Sequence, residues 1–180
     1  MKKIEKTDWF ENGIKVLKTE GFQRITIDNL CKSLKITKGS FYHHFKNTEG
    51  YIEALMKYWQ NKNTLEFIKH TEEQSDIQTK YFILNDLAGS SSHKVEQVIR
   101  AWSFSNETVK EYVKQVDDMR MEYLTDLNIQ KGLDPKQAKN SAIVQYGTLI
   151  GIQQLLPDIS KDEFNELYQI LIKNKTDKKV

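Results

Sequence analysis

Residues 21–45 read GFQRITIDNLCKSLKITKGSFYHHF. The stretch divides into two short amphipathic pieces around a tight turn. Thr26 is an N-cap residue ahead of Ile27, Leu30, Cys31 and Leu34, which recur at helical spacing. Thr37 is a second N-cap residue, ahead of a short helix from Lys38 to His44. The spacing sets Leu30 and Leu34 against Ile36 and Phe41. Two short helices joined in this way form a helix-turn-helix, whose second helix fits the major groove of DNA. The start of that helix, Lys38-Gly39-Ser40, is small enough for close approach, and Tyr42, His43 and His44 are expected to point outward. Hydroxyl and ammonium groups of this kind bond phosphates, and they position a helix more than they read bases. Phe41 and Phe45 are core residues, and Cys31 packs as a small hydrophobe.

The helical pattern continues on both sides. Upstream, Ile4, Trp9, Phe10, Ile14 and Leu17 recur near a 3.6-residue period, with Gly21 as the stop. Downstream, Asn47 caps a long helix through Tyr51, Leu55, Tyr58 and Leu65, broken by the polar run TEEQSD from Thr71. The next helix carries Tyr81, Phe82, Leu84 and Leu87 and is expected to end near Gly89, in the loop Gly89-Ser90-Ser91-Ser92. Val95, Val98, Ile99 and Trp102 mark another. Ser105 is the expected cap of a long helix from Val109 to Leu127, stopped at Gly132. Asp134, Pro135 and Gln137 open the following helix as N-cap, N1 and N3, and Pro157 ends it. Ser160 and Glu163 form a capping box for the last helix. The reading is an all-α chain of about nine helices, with a DNA-binding head at 1–46 and a helical body at 47–180.

Composition agrees. Only 2 prolines and 8 glycines in 180 residues disfavour barrels, sandwiches and Gly-rich nucleotide folds. Residues 1–50 carry 10 Lys and Arg against 6 Asp and Glu, whereas residues 51–180 carry 17 against 19. The positive charge thus gathers in the head, where an anionic polymer would bind. The lone Cys31 excludes an internal disulfide and a Cys-rich zinc site, and it suits a reducing, cytoplasmic setting. No apolar run is long enough for a membrane span. There is no Gly-rich phosphate loop, H-E-x-x-H or nucleophile elbow, so no enzyme, metal or cofactor is expected. His43 and His44 are not a metal pair, because adjacent helical positions point about 100° apart.

The pairs and motifs Gly21-Phe22, Thr26 and Ile36-Thr37-Lys38-Gly39-Ser40-Phe41-Tyr42-His43-His44-Phe45 resemble the N-terminal domain of the TetR family of transcriptional regulators. The resemblance covers about a quarter of the chain. It implies DNA contacts from Thr26, Lys35, Thr37, Lys38, Gly39, Ser40, Tyr42, His43 and Lys46. Two positions depart from the family pattern. Lys35 stands where a turn glycine is usual: it either strains the turn by roughly 1 kcal/mol or adds a phosphate contact. Thr48 stands where a lysine is common, so a phosphate contact is lost there or moves to Lys46.

For the body, the resemblance implies a small apolar or amphipathic effector, with Trp102, Phe104, Met119, Tyr123 and Tyr146 as its contacts. It also implies a homodimer through the last two helices, using Ile143, Gly147, Ile150, Gly151, Gln154, Phe164, Leu167, Tyr168 and Leu171. Gly147 and Gly151 form a small-xxx-small pair, which serves either a partner helix or packing within one chain. The implied activity is repression of a double-stranded operator. The effector would shift the paired helices out of register with major grooves about 34 Å apart. Two other readings stay open: a helical-bundle enzyme or carrier for small molecules, and a protein-interaction module with a degenerate head.

Overall fold

The computed structural model describes residues 4–176, and their side chains except those of 169 and 171–176. The chain forms α1 (Lys6–Glu20), a 3-10 turn (Phe22–Arg24), α2 (Ile27–Leu34), α3 (Lys38–His44), α4 (Thr48–Gln60), a π-helical turn (Asn61–Leu65) and α5 (Glu66–Glu72). It continues as α6 (Ile77–Ser90), α7 (His93–Trp102), α8 (Glu107–Gln130), α9 (Pro135–Leu155) and α10 (Lys161–Thr176). Because α4, the π turn and α5 run on without a break, the described residues make nine helical rods and no strand. None of these helices is long and apolar enough to cross a membrane.

Side-chain caps set most helix starts. The Thr26 hydroxyl accepts from the Asn29 N–H at 3.2 Å, and Asn47 Oδ1 accepts from the Gly50 N–H at 2.8 Å. Asp134 Oδ1 accepts from the N–H groups of Lys136 and Gln137, each at 3.0 Å, with Pro135 in the first turn. Ser160 and Glu163 bond reciprocally, as a capping box should.

One expected cap is made differently and another moves by one residue. Thr37 is the N-cap residue of α3 by backbone, but its hydroxyl makes no capping bond. Asn106, not Ser105, caps α8, accepting from the Val109 N–H at 3.0 Å; the Ser105 hydroxyl instead donates back to the Trp102 carbonyl. Helix α6 ends at Ser90, beside the expected Gly89, with Ser91 and Ser92 outside it. Gly89 is there for packing: a Cβ would stand 2.7 Å from the Phe164 ring of α10. A glycine read only as the start of a loop thus also serves a close contact between two helices.

The chain divides into two compact units. One comprises residues up to Gln60 together with Lys94–Lys114. The other comprises Asn61–His93 and the chain from Gln115 onward. The expected boundary after residue 46 therefore shifts to Gln60, because Tyr51, Leu55, Met56 and Trp59 of α4 are buried with α1–α3. Trp102 joins the same unit by stacking on Phe22, with ring centroids 5.7 Å apart and planes 10° apart. In the second unit α6 packs against α5 and α10, and Leu124, Ala142 and Tyr146 make a core between α8 and α9.

The first unit closes on one buried hydrogen bond. Tyr51 is fully buried, and its hydroxyl donates to the Trp9 carbonyl at 2.9 Å. Gly13 lets it through: a Cβ there would overlap the Tyr51 hydroxyl and stand 3.1 Å from Leu55 Cδ1. Ala at an exposed helical site would gain about 1 kcal/mol over Gly. Overpacking costs roughly 1–3 kcal/mol. Gly13→Ala is accordingly expected to lower the thermal unfolding midpoint; a variant with a raised midpoint would contradict this account of the packing.

Candidate functional site

The α2–α3 segment is a helix-turn-helix held by aromatic packing. On the inner side of α3, Phe41 and Phe45 lie 5.3 and 5.9 Å from Trp9, both edge-on. Such pairs contribute about 0.5–1.5 kcal/mol each beyond buried area. His44 joins this inner side: its Nε2 is 3.2 Å from the Ile4 carbonyl, so it does not point outward as expected. The inner residues leave Lys38, Gly39, Tyr42 and His43 exposed on α3, with Tyr42 at 56%.

The turn between α2 and α3 rests on Lys35. Its φ of 56° and ψ of 44° are left-handed, the conformation that favours glycine. The Ile36 N–H donates to the Cys31 carbonyl at 3.0 Å and closes the helix end. Lys35 is exposed, as are Thr37 and Lys46. Thr26 is exposed too, although its hydroxyl is already engaged in capping. Ser40 is half-buried. Lys38 Nζ sits 2.6 Å from Asp28 Oδ1, and this carboxylate holds the ammonium above its ordinary value. A Cβ on Gly39 would meet only Thr37 Oγ1, at an ordinary 3.6 Å. Nothing among the described residues requires glycine there. Cys31 is buried, and that burial pushes its thiol up, so it is an inert packing group.

The second unit contains a narrow cleft with about 60 Å³ of usable space. Phe67, Ile68, Leu84, Leu149 and Tyr168 supply apolar wall; Asn63, Thr64, Arg120, Tyr146 and Gln153 supply polar wall. Arg120 organises the polar end. It donates to Thr64 Oγ1 and to the Asn63 carbonyl, each at 3.1 Å, and to the Tyr146 hydroxyl at 3.4 Å. The Tyr146 hydroxyl donates to Asp117 Oδ1 at 2.6 Å. Tyr123 donates to Glu72 at 2.6 Å, and Lys80 donates to the other Glu72 oxygen at 2.7 Å. The Lys80 and Tyr123 bonds hold the Glu72 carboxyl below its usual range. Burial, aided by Glu72, pushes the Tyr123 phenol well above its own. Burial pushes Tyr168 up to about 12, so both rings stay neutral at ordinary pH.

Of the aromatic residues singled out from sequence, Tyr123 and Tyr146 line this cleft. Trp102 and Phe104 belong to the other unit, where Trp102 stacks on Phe22 and Phe104 is 92% exposed. Met119 is half-buried and does not line the cleft. Sequence reading missed Arg120 and Gln153. For Gln153 a signal existed: it lies seven residues after Tyr146 and four after Leu149, on the inward face of α9.

Helices α9 and α10 also carry an outward apolar face. Ile143, Val144, Leu155, Leu167 and Ile170 are exposed, and Leu155, Pro157, Leu167 and Ile170 border a second, shallower hollow. Gln154 is exposed and Ile150 half-buried. A Cβ built on Gly147 or Gly151 meets nothing within 4 Å, so neither glycine packs against another of the described residues. Phe164 and Tyr168, expected on this face, are instead turned inward: Phe164 packs on His93 at 5.0 Å between ring centroids, and Tyr168 lines the cleft. The side chain of Leu171 lies outside the described residues.

Comparison with known proteins agrees with this geometry. Residues 11–55 match the family described as bacterial regulatory proteins, tetR family. The transposon Tn10 TetC protein of Escherichia coli is 40% identical over 47 residues, which span 26% of this chain and only 24% of that protein. A TetR transcriptional regulator from Legionella pneumophila superposes with a TM-score of 0.82 at 12% identity, over 97% of this chain and 99% of that one. The transcriptional regulator FadR from Bacillus subtilis, in complex with stearoyl-CoA, superposes with a TM-score of 0.70 at 14% identity, over 93% of this chain and 97% of that one. At such identities these likenesses concern the fold. Residues 11–55 thus match the tetR family of bacterial regulatory proteins, and the chain shares the all-helical fold of the solved regulators.

Proposed function

We propose that the protein is a DNA-binding transcriptional repressor that acts as a homodimer and leaves its operator when an amphipathic effector occupies the cleft of the second unit. One observation carries the DNA reading. The exposed side of α3 presents Lys38, Gly39, Tyr42 and His43, and no internal contact of the protein calls for a glycine at 39. Close approach of a duplex to the start of α3 does call for one, and Tyr42 and Lys38 are suited to its phosphates. Thr37, Ser40, Lys35 and Lys46 extend that surface, and Thr26 adds its backbone end.

The cleft supports the effector reading. It joins aliphatic and aromatic wall to a polar end, which is the profile of a site for a small amphipathic molecule. Arg120 and Thr64 link it to the π turn at Asn61–Leu65, where the chain passes from α4 of the first unit into the second. An effector that displaces Arg120 from Asn63 and Thr64 would release this turn, and α4 would carry the change to the DNA-binding segment. The apolar face with Ile143, Gly147, Ile150, Gly151, Gln154 and Leu167 supports pairing of two chains, because glycines without a neighbour permit close helix approach. Two-fold pairing suits a palindromic operator.

The test is mobility-shift binding to the DNA flanking the protein's own gene, read as log affinity against log salt. Tyr42→Ala is expected to weaken binding across sequences; absence of binding to any flanking or selected duplex at low salt would overturn the reading. Lys35→Gly separates two effects. Relief of the left-handed backbone should raise unfolding free energy by about 1 kcal/mol. If the ammonium meets a phosphate, the salt slope should also fall by about one. An unchanged slope would remove Lys35 from the interface. For the dimer, Gly147→Asp or Ile150→Asp should sediment as a monomer with its helical content intact. A dimer that survives both would reject this face.

A further inference from the structure

Resting on the reading of α3 as the helix that enters the major groove, we infer that Lys38 and Asp28 together read one G·C base pair. The ammonium donates to guanine and the carboxylate accepts from cytosine. Lys38 is the first residue of α3, and Asp28 lies in the first turn of α2. Lys38 Nζ is 2.6 Å from Asp28 Oδ1, and both side chains are exposed. Residues at the start of a recognition helix are the ones that reach base edges. A lysine alone in that place would suit a phosphate, but Asp28 changes what Lys38 can do. A phosphate would have to draw the ammonium away and leave a bare carboxylate beside the polyanion, so the exchange gains little. Lys35 before α3 and Lys46 after it are exposed as well, and they suit the phosphates.

The ion pair matches the edge of a G·C pair group by group. An ammonium has three donors; one goes to Asp28, and two remain for a base. The carboxylate keeps lone pairs beyond the one that Lys38 uses. In the major groove a G·C pair shows two acceptors, guanine N7 and O6, followed by the N4 amino donor of cytosine. Guanine O6 and cytosine N4 are bonded to each other at about 2.9 Å. That separation is close to the 2.6 Å between Nζ and Oδ1, so donor can face acceptor and acceptor face donor side by side. An A·T pair fits less well. With the carboxylate on adenine N6, adenine N7 lies beside it as a second acceptor, and the ammonium finds only thymine O4 next to a methyl group. The G·C contacts leave the ion pair intact, so neither charge enters the groove without its partner.

The test uses the full-length protein and a pool of duplexes with a randomised centre. Sites selected by the wild type should hold a G·C pair at a position where Lys38→Met shows no preference. Replacing that guanine by 7-deazaguanine, which lacks the N7 acceptor, should weaken the wild type about tenfold and leave Lys38→Met unchanged. Asp28→Asn releases the ammonium to phosphates. It should bind the unselected pool more tightly than the wild type, with a salt slope steeper by about one, and lose its preference at the G·C position. Combined with Lys38→Met, Asp28→Asn should no longer steepen the slope; unfolding midpoints record that each variant keeps the fold. A steeper slope in both backgrounds would overturn the inference, because Asp28 would then act on phosphates directly. An unchanged slope in Asp28→Asn, or a selected site that Lys38→Met reads as the wild type does, would overturn it while leaving DNA binding intact. If the wild type selects no site at all, the inference and the DNA reading of α3 both fall.

Discussion

The Tyr51 hydroxyl bonded to the Trp9 carbonyl is the contact around which the first unit is arranged. It ties α4 to α1 inside an otherwise apolar core, and Trp9, Phe41, Phe45 and Tyr51 close around it at centroid separations of 5.0 to 5.9 Å. A buried phenol without this acceptor would forfeit about 1–3 kcal/mol, so the pair helps to fix the positions of the two helices. The orientation of α3 follows. With Phe41 and Phe45 held inward, a helix of seven residues has only one side left to present, and that side carries Lys38, Gly39, Tyr42 and His43.

The turn ahead of α3 shows what the unit tolerates in return. Lys35 holds a conformation that glycine would hold without strain. The Schellman-like bond from Ile36 to the Cys31 carbonyl needs that backbone whatever the side chain. A modest local cost thus persists because the aromatic core over-determines the geometry on either side. The lysine ammonium stays in solvent and is free of any packing task.

Helix punctuation was legible in the sequence because its causes are local. Thr26, Asn47, Asp134 and Ser160 cap where their residue types and spacing say they should. What was not legible depends on residues distant along the chain. Gly89 reads only as a helix end, and its contact with Phe164, 75 positions later, has no local signal. His44 reads as outward until the backbone of Ile4 is found beside it. Trp102 and Phe104 resemble ligand contacts by type, yet one stacks on Phe22 and the other stands in solvent. In the candidate site, Tyr123 and Tyr146 were reachable by aromatic content, whereas Arg120 was not: its role is set by Asn63 and Thr64, more than 50 residues away.

Arg120 also explains why a π-helical turn persists between α4 and α5. A π turn widens the helix and leaves backbone carbonyls poorly served, so such turns survive where something else bonds them. Here Arg120 donates to the Asn63 carbonyl and the Thr64 hydroxyl, and Thr64 is almost wholly buried. The same guanidinium reaches Tyr146, and Tyr146 reaches Asp117. Three elements of the second unit therefore meet in one hydrogen-bonded chain at the wall of the cleft: the π turn, α8 at Asp117 and Arg120, and α9. Such a network cannot lose one member cheaply, since the others would be left buried without partners. The turn is thus kept not by its own sequence, NKNTL, but by the groups that also line the cleft.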